Sequence, residues 1–409
     1  MKLTFLGGAG EYGRSCFLLE HDHGALLIDC GVMKKKGSFI NTYPTLTPSI
    51  AKRVSHVLVT HAHEDHTLSL PYLKKLGFTG TVLATSQTIE QTIEYFSKWR
   101  QKVETEGDTL PYEKEDEEGL SFEALDDKCT NFWISLTDTV SIMYGRSGHT
   151  IGSLWYAVQV DGKTVFFSGD YSLESTLLNY EWPKIGAKPD LAVMDGAYGD
   201  FNVTQDTLLE QVMIKLHYAL EKRDRVLLQV PLVGKSQELL AAVKHRLLMK
   251  GADQIVVEKA LYEASKNFGK HSDWLVDHTT AAFFDSLGNG GVTVADSPNE
   301  VANGSIGFFT AETLVEKDDW KHDRSTHIIS PGPENQELKR MAEVTSIAYS
   351  KVMLKVHPGK DETEALLSRL MPKRTVFTHG VRKDVEALVG ALHSRTRFLT
   401  GEVGVTVEV

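Results

Sequence analysis

Residues 60–66 read Thr60-His61-Ala62-His63-Glu64-Asp65-His66, and no other stretch constrains the chain as much. Imidazoles and a carboxylate are crowded into a single turn's length of sequence. They follow Val57-Leu58-Val59, a short β-branched run bounded by polar residues, which reads as a buried strand. The stretch is therefore expected to be a strand end turning into a loop. There side chains can converge, whereas a continuing strand would send successive ones to opposite faces. His61, His63 and His66 offer imidazole nitrogens and Asp65 a carboxylate, a ligand set suited to Zn(II) or a similar divalent ion. A lone histidine in such a loop would read as a polar surface residue; the clustering argues for a metal. A motif this short does not complete a site, so further ligands must come from elsewhere.

Four other stretches have the same form, a run of apolar residues beside a polar one. Ala25-Leu26-Leu27-Ile28 runs into Asp29, where a carboxylate can hold a ligating histidine through its second ring nitrogen. His149 stands between Gly148 and Gly152, just before Leu154-Trp155-Tyr156-Ala157-Val158. Val165-Phe166-Phe167 leads to Asp170, and Thr375-Val376-Phe377-Thr378 leads to His379. Ligands repeatedly ending buried strands are what one sheet edge carrying a site would give.

The chain has 409 residues, more than one ordinary core holds, so two lobes are expected. Hydrophobic content of 41% and charged content of 24% are those of a soluble globular protein. No apolar run is long enough for a membrane span, and Met1 to Gly8 lacks the apolar core of a signal peptide. Cys16, Cys30 and Cys129 are odd in number and widely spaced, which suggests a reducing compartment, and the cytoplasm is the expected location. A net charge of −11 counts against a protein that simply coats nucleic acid, without excluding a nucleic-acid substrate met by a local patch. The acidic stretch Glu104 to Asp127 and the run Lys34-Lys35-Lys36 read as solvated segments, although the lysines could meet a phosphate backbone.

Shorter signals fill in the rest. Leu3-Thr4-Phe5-Leu6 and Ser15-Cys16-Phe17-Leu18-Leu19 read as strands around a glycine turn that matches no phosphate-binding loop. Leu68 to Gly77 reads as a short helix with a glycine stop, and Ser86 to Lys102 as a helix capped by Ser86. Arg225 to Val230 should be a parallel strand, followed by a helix over Ser236–Lys250.

Together these motifs resemble the β-CASP branch of the metallo-β-lactamase superfamily. The resemblance starts at Gly7-Gly8-Ala9-Gly10-Glu11-Tyr12-Gly13-Arg14-Ser15-Cys16 with Asp29, continues through His61 to His66, and takes in His149 and Asp170. The long interval from Asp170 to His379 leaves room for the lobe that marks the branch. Within it, Val193-Met194-Asp195-Gly196-Ala197-Tyr198-Gly199-Asp200 looks like the branch's acidic motif, with glycine and alanine in place of small hydroxyl residues. Gln229 to Glu238 looks like the strand-turn-helix of the inserted lobe, with Lys235 where arginine is commoner. His357 matches the branch histidine without a gap, although Lys355-Val356-His357-Pro358-Gly359-Lys360-Asp361 departs from the usual Ser-Gly-His-Ala-Asp. Matching Gly359 instead would put Lys360 at that position.

The fold the resemblance implies is α/β: an αββα metallo-β-lactamase sandwich over residues 1–195, completed by a return over 351–409, with an inserted α/β β-CASP-like lobe over 196–350. It implies two Zn(II) ions, with Mn(II) or Fe(II) as substitutes. His61, His63 and His149 would hold one, and Asp65, His66 and His379 the other, with Asp170 bridging. Asp29 would sit behind the ligands. The activity implied is cleavage of phosphodiester bonds in RNA or single-stranded DNA by a metal-bound hydroxide, in a cleft between the lobes. His357, oriented by Asp195, would protonate the leaving oxygen, and Lys235 and Ser236 would meet a substrate phosphate. The altered flanks of His357 put a 5′-end-dependent mode in doubt. Rival readings are a hydrolase of a small ester, thioester or phosphoester on the same ligands, a flavodiiron-type oxidoreductase, which the histidine at position 63 disfavours, and a non-catalytic scaffold, which filled ligand positions disfavour. No appended RNA-binding module is expected, and a homodimer is allowed.

Overall fold

Strand Leu191–Asp195 shows how alternation builds the structure. Ala192 and Met194 pack outward with Leu366, Leu367 and Leu388 of the helices Lys360–Leu370 and Arg382–Ala391. Val193 and Asp195 point the other way, toward Phe17 and Phe167 in the space between two sheets. A computed structural model of the chain describes residues 1–34, 42–125, 129–247, 252–287, 292–332 and 334–409. They form two compact units, one of residues 1–173, 179–202 and 357–409, the other of residues 174–178 and 203–356. The exchanges of chain at 202/203 and 356/357 lie a few residues beyond the boundaries at 195/196 and 350/351 expected from the motifs.

The first unit holds two seven-stranded sheets. One runs Thr406–Glu408, Lys2–Gly7, Cys16–His21, Gly24–Ile28, Val54–Leu58, Thr81–Thr85, Ser121–Leu125. The other runs Arg397–Leu399, Arg374–Thr378, Leu191–Asp195, Lys163–Phe167, Leu154–Val160, Val140–Arg146, Ile134–Ser135. Phe17 of the first stacks on Phe167 of the second, with ring centroids 6.4 Å apart. Tyr156 donates from its hydroxyl to the Val59 carbonyl across the same seam, at 3.0 Å. Helices cover both outer faces. Phe96, Trp99 and Val103 of helix Ser86–Thr105 pack with Leu18, Leu27, Val57 and Val82 on one side, and the helices named above cover the other. This is the αββα sandwich.

The second unit is built on a six-stranded sheet ordered Thr293–Ala295, Ile255–Glu258, Ile306–Phe309, Arg225–Gln229, Thr326–Ser330, Ala348–Lys351. Every pairing in it is parallel. Its four central strands are buried and largely apolar, as in a parallel sheet covered by helices, whereas the edge strands Thr293–Ala295 and Ala348–Lys351 are more exposed. Leu227, Val256, Phe309, Trp320, Ile328 and Leu338 share its core.

Local readings need some correction. Helix Ser86–Thr105 is capped by Thr85, whose hydroxyl accepts from Thr88 N at 3.2 Å, so Ser86 is its first residue. The strand Thr81–Thr85 runs straight into the helix, and the extended strand-end residue takes the cap. The expected helix Leu68–Gly77 is shorter, Leu70–Lys75, with a separate turn Glu64–Thr67 before it inside the ligand loop. The helix after Arg225–Gln229 starts at Lys235, one residue early, and is described to Leu247; residues 248–250 of the expected span lie outside the described residues, as do Lys35, Lys36 and Asp127. Lys34 is paired with Glu64. No helix among the described residues is long and apolar enough to cross a membrane.

Candidate metal centre

The site is assembled at strand ends. After Gly24–Ile28 the chain turns at Asp29, in the left-handed region with φ 58°. Its carboxylate accepts from Thr60 N at 2.7 Å and Thr60 Oγ1 at 2.9 Å, and lies 2.8 Å from His66 Nδ1. The backbone then fastens the ligand loop. Cys30 N donates to His66 O at 2.8 Å, Val32 N to Glu64 O at 3.0 Å and Ser15 N to Asp65 O at 2.8 Å. The chain comes so close that a Cβ on Gly31 would lie 1.8 Å from the carbonyl of Asp65. Glycine is required there for that approach. Thr67 Oγ1 donates to the carbonyls of Ala62 and His63, fixing the turn from inside.

All the expected ligands converge. His63 Nδ1 lies 3.1 Å from His61 Nε2 and 3.3 Å from His149 Nε2, and Asp170 Oδ2 lies 3.6 and 3.7 Å from those two Nε2 atoms. The other oxygen, Asp170 Oδ1, lies 3.5 Å from His66 Nε2 and 3.8 Å from His379 Nδ1. Asp65 Oδ2 lies 2.9 Å from His379 Nε2 and 3.8 Å from His66 Nε2. Asp170 thus faces one cluster with each oxygen. His357 joins the edge of the group, its Nδ1 2.8 Å from Asp195 Oδ2 and 3.7 Å from Asp170 Oδ2. Asp195 Oδ1 accepts from Ala197 N at 2.9 Å, which holds the carboxylate in place. Lys360, the alternative match for His357, is the first residue of helix Lys360–Leu370 and pairs with Asp361 and Glu364.

The donors fit a pair of divalent cations. Burial, reinforced by the neighbouring imidazoles of His66, His63 and His149, pushes His61 well below the usual histidine range, and burial lowers His63 as well. A neutral imidazole keeps one lone pair, the form in which histidine ligates a metal. His66 Nε2 and His379 Nδ1 are buried with no hydrogen-bond partner. The acidic side chains make the same demand. Asp29, Asp170 and Asp195 are all buried, and buried carboxylates are costly unless positive charge meets them. Burial works against charging His66, yet Asp170, Asp29 and Asp65 hold its pKa at about 9. For Asp195 burial favours the acid, but His357 and His379 outweigh it and keep the carboxyl below its usual range.

The sequence model of the metallo-beta-lactamase superfamily matches residues 9–216. The chain belongs to this superfamily. Membership implies that the clusters bind divalent metal. Among curated relatives, "Transcription termination factor FttA" of Methanosarcina mazei is 28% identical over 67% of this chain and 44% of its own length. "Endoribonuclease YSH1" of Candida albicans is 29% identical over 58% of this chain and 28% of its own. "RNase J-like protein" of Methanocaldococcus jannaschii is 25% identical over 67% and 62%. These relatives are β-CASP members of the superfamily, the branch the motifs resemble. The chain spans less than two thirds of the length of each. A solved structure of a protein of unknown function from Enterococcus faecalis V583 has the same fold, with a TM-score of 0.62 at 12% identity, covering 100% of this chain and 99% of that one.

Lys235 and Ser236 belong to the second unit, where they have other partners. Lys235 pairs with Glu238, and Ser236, buried, donates to Gln237 Oε1 at 2.9 Å. Sequence reasoning passed over two residues at the metal centre. Thr60 is one; its position next to His61 was the only hint. Tyr12 is the other; it lies in the loop between strands Lys2–Gly7 and Cys16–His21, its ring edge-on to His379 at 6.1 Å.

Proposed function

We propose that the chain is a two-metal hydrolase that cleaves phosphodiester bonds of RNA, with single-stranded DNA as the second candidate substrate. The observation that carries this reading is the placement of the His357–Asp195 pair, 2.8 Å apart, against the same Asp170 whose two oxygens face the two ligand clusters. A hydrolase of small esters needs the clusters but not that pair. The names of the β-CASP relatives, an endoribonuclease and an RNase J-like protein among them, support RNA as the substrate. Zinc is the metal proposed, because imidazoles dominate the donor set; Mn(II) and Fe(II) are the substitutes.

When bound, the cations would supply Lewis acidity at the phosphate and a means of ionising water near neutral pH. The protein's own groups do the rest. His61, His63 and His149 on one side, and Asp65, His66 and His379 on the other, would hold the two cations, with Asp170 shared between the clusters. Asp29 holds the His66 proton on Nδ1, so that Nε2 is the nitrogen that would give up its proton and ligate when a cation binds. Asp195 holds His357 through Nδ1 at 2.8 Å, which leaves Nε2 free to give a proton to the leaving oxygen.

The test is incubation of metal-loaded protein with labelled single-stranded RNA and DNA, beside Asp65→Ala and His357→Ala. We expect RNA cleavage, abolished in Asp65→Ala. In His357→Ala, kcat should drop by about 10²–10⁴-fold with the metal content unchanged. A protein that carries its full metal complement and cleaves neither polymer would overturn the proposal in favour of a small substrate.

A further inference from the structure

Tyr12 is held by its tip and yet partly exposed. Its hydroxyl lies 3.0 Å from the Ala197 carbonyl and 3.1 Å from Asp384 Oδ2 and can donate to either, yet the residue is 43% exposed. The loop that carries it is tied by hydrogen bonds. Glu11 accepts from Gly8 N at 3.2 Å and from Arg14 Nε at 2.6 Å, and Arg14 reaches on to the Tyr43 carbonyl at 3.0 Å. The loop is also fastened to the strand end that bears a ligand, since His379 N donates to Gly8 O at 2.7 Å and Gly10 bridges to Val381. The ring is therefore fixed relative to His379, and stands edge-on to it.

We propose that the Tyr12 ring is a stacking platform for a nucleobase of the substrate, the base attached to a sugar beside the scissile phosphate. The inference rests on reading the centre as a nucleic-acid phosphodiesterase. A phosphate at the ligand clusters would carry its flanking nucleosides outward past His379, and Tyr12, with its ring centroid 6.1 Å from that of His379, offers an exposed aromatic side chain beside it. Stacking suits a substrate read without base preference, because every base has a π face. Holding the ring in advance spares the ordering cost that a free side chain would bring to binding.

The experiment uses metal-loaded protein, a short labelled single-stranded RNA, and the same RNA with abasic residues on both sides of the cleaved bond. Tyr12→Ala should raise KM on the intact RNA by roughly 5- to 100-fold, the range for losing one base–aromatic stack, with a smaller effect on kcat. On the abasic RNA the wild type should already show the raised KM, and the substitution should add nothing. Tyr12→Phe, which keeps the ring, should keep most of the binding, and Phe132→Ala, at an exposed aromatic outside the site, should leave KM unchanged. Equal losses on both RNAs, no loss on either, or a fall in metal content in Tyr12→Ala would overturn the proposal. Anisotropy titration of the same RNAs separates it from the reading beneath it. If the wild type binds intact RNA without cleaving it, the phosphodiesterase reading fails while Tyr12 is still judged by its effect on Kd. If the protein neither binds nor cleaves, both fail.

Discussion

Asp29 Oδ2 lies 2.8 Å from Nδ1 of His66, and this one contact sets which nitrogen of His66 faces the clusters. The remaining nitrogen, Nε2, is left buried beside Asp65 and Asp170 with no hydrogen-bond partner. Replacing Asp29 by Asn keeps the shape but removes the charge that fixes the tautomer. We expect Asp29→Asn to weaken one of the two metals by about 10- to 100-fold, the usual cost of losing a carboxylate behind a ligating histidine. Competition with a graded series of chelators measures it, and unchanged affinity for both ions would refute the role given to Asp29.

Asp170 and His149 should differ in how many ions they cost. Each oxygen of Asp170 serves a different cluster, whereas His149 belongs to one. Elemental analysis of Asp170→Ala should find both ions lost or greatly reduced, and of His149→Ala only one. Equal losses in the two variants would contradict a bridging Asp170.

Gly31 and Gly390 predict opposite signs for the same substitution. A methyl at Gly31 would meet the backbone of Asp65 at 1.8 Å, and backbone cannot step aside like a flexible side chain. Gly31→Ala should destabilise by about 3 kcal/mol or more and scatter the ligand loop, so that metal is lost together with stability. Gly390, inside helix Arg382–Ala391, has nothing within 4 Å of such a methyl. Gly390→Ala should stabilise by roughly 0.5–1 kcal/mol through helix propensity. Denaturant midpoints decide both.

His327 gives the second unit a pH response independent of the metal. It is buried, with Nε2 2.9 Å from Ser350 Oγ, and burial lowers its pKa below the usual histidine value. A base with a lowered folded-state pKa binds its proton more readily when unfolded. Its penalty is absent above the unfolded pKa of about 6.5 and grows as pH falls through the folded one. His327→Gln, which can keep a hydrogen bond to Ser350, should therefore lose less stability than wild type between about pH 7.5 and 5. Chemical denaturation at both pH values reads the difference, and parallel losses would rule the residue out as a contributor.

Much of the metal centre was legible in the chain before any fold. Ligands announce themselves as polar residues at the ends of apolar runs, and that pattern marks His61 to His66, Asp170 and His379 because hydrophobicity is local information. The same holds for one strand of the second unit's parallel sheet, Arg225–Gln229, whose apolar run marks it. The glycine-flanked His149 was legible from the apolar strand that follows it, whereas the poorly flanked His357 was legible only through resemblance. What the tertiary structure alone decided are the relationships between residues far apart in sequence. Asp170 divides its oxygens between clusters, Thr60 ties Asp29 to the ligand loop, Lys235 is turned to Glu238, and Tyr12 is hung by its hydroxyl from Ala197 and Asp384. Composition and periodicity fix which face a side chain takes; partners across the fold depend on how strands and loops register in space, and no single stretch of sequence encodes that.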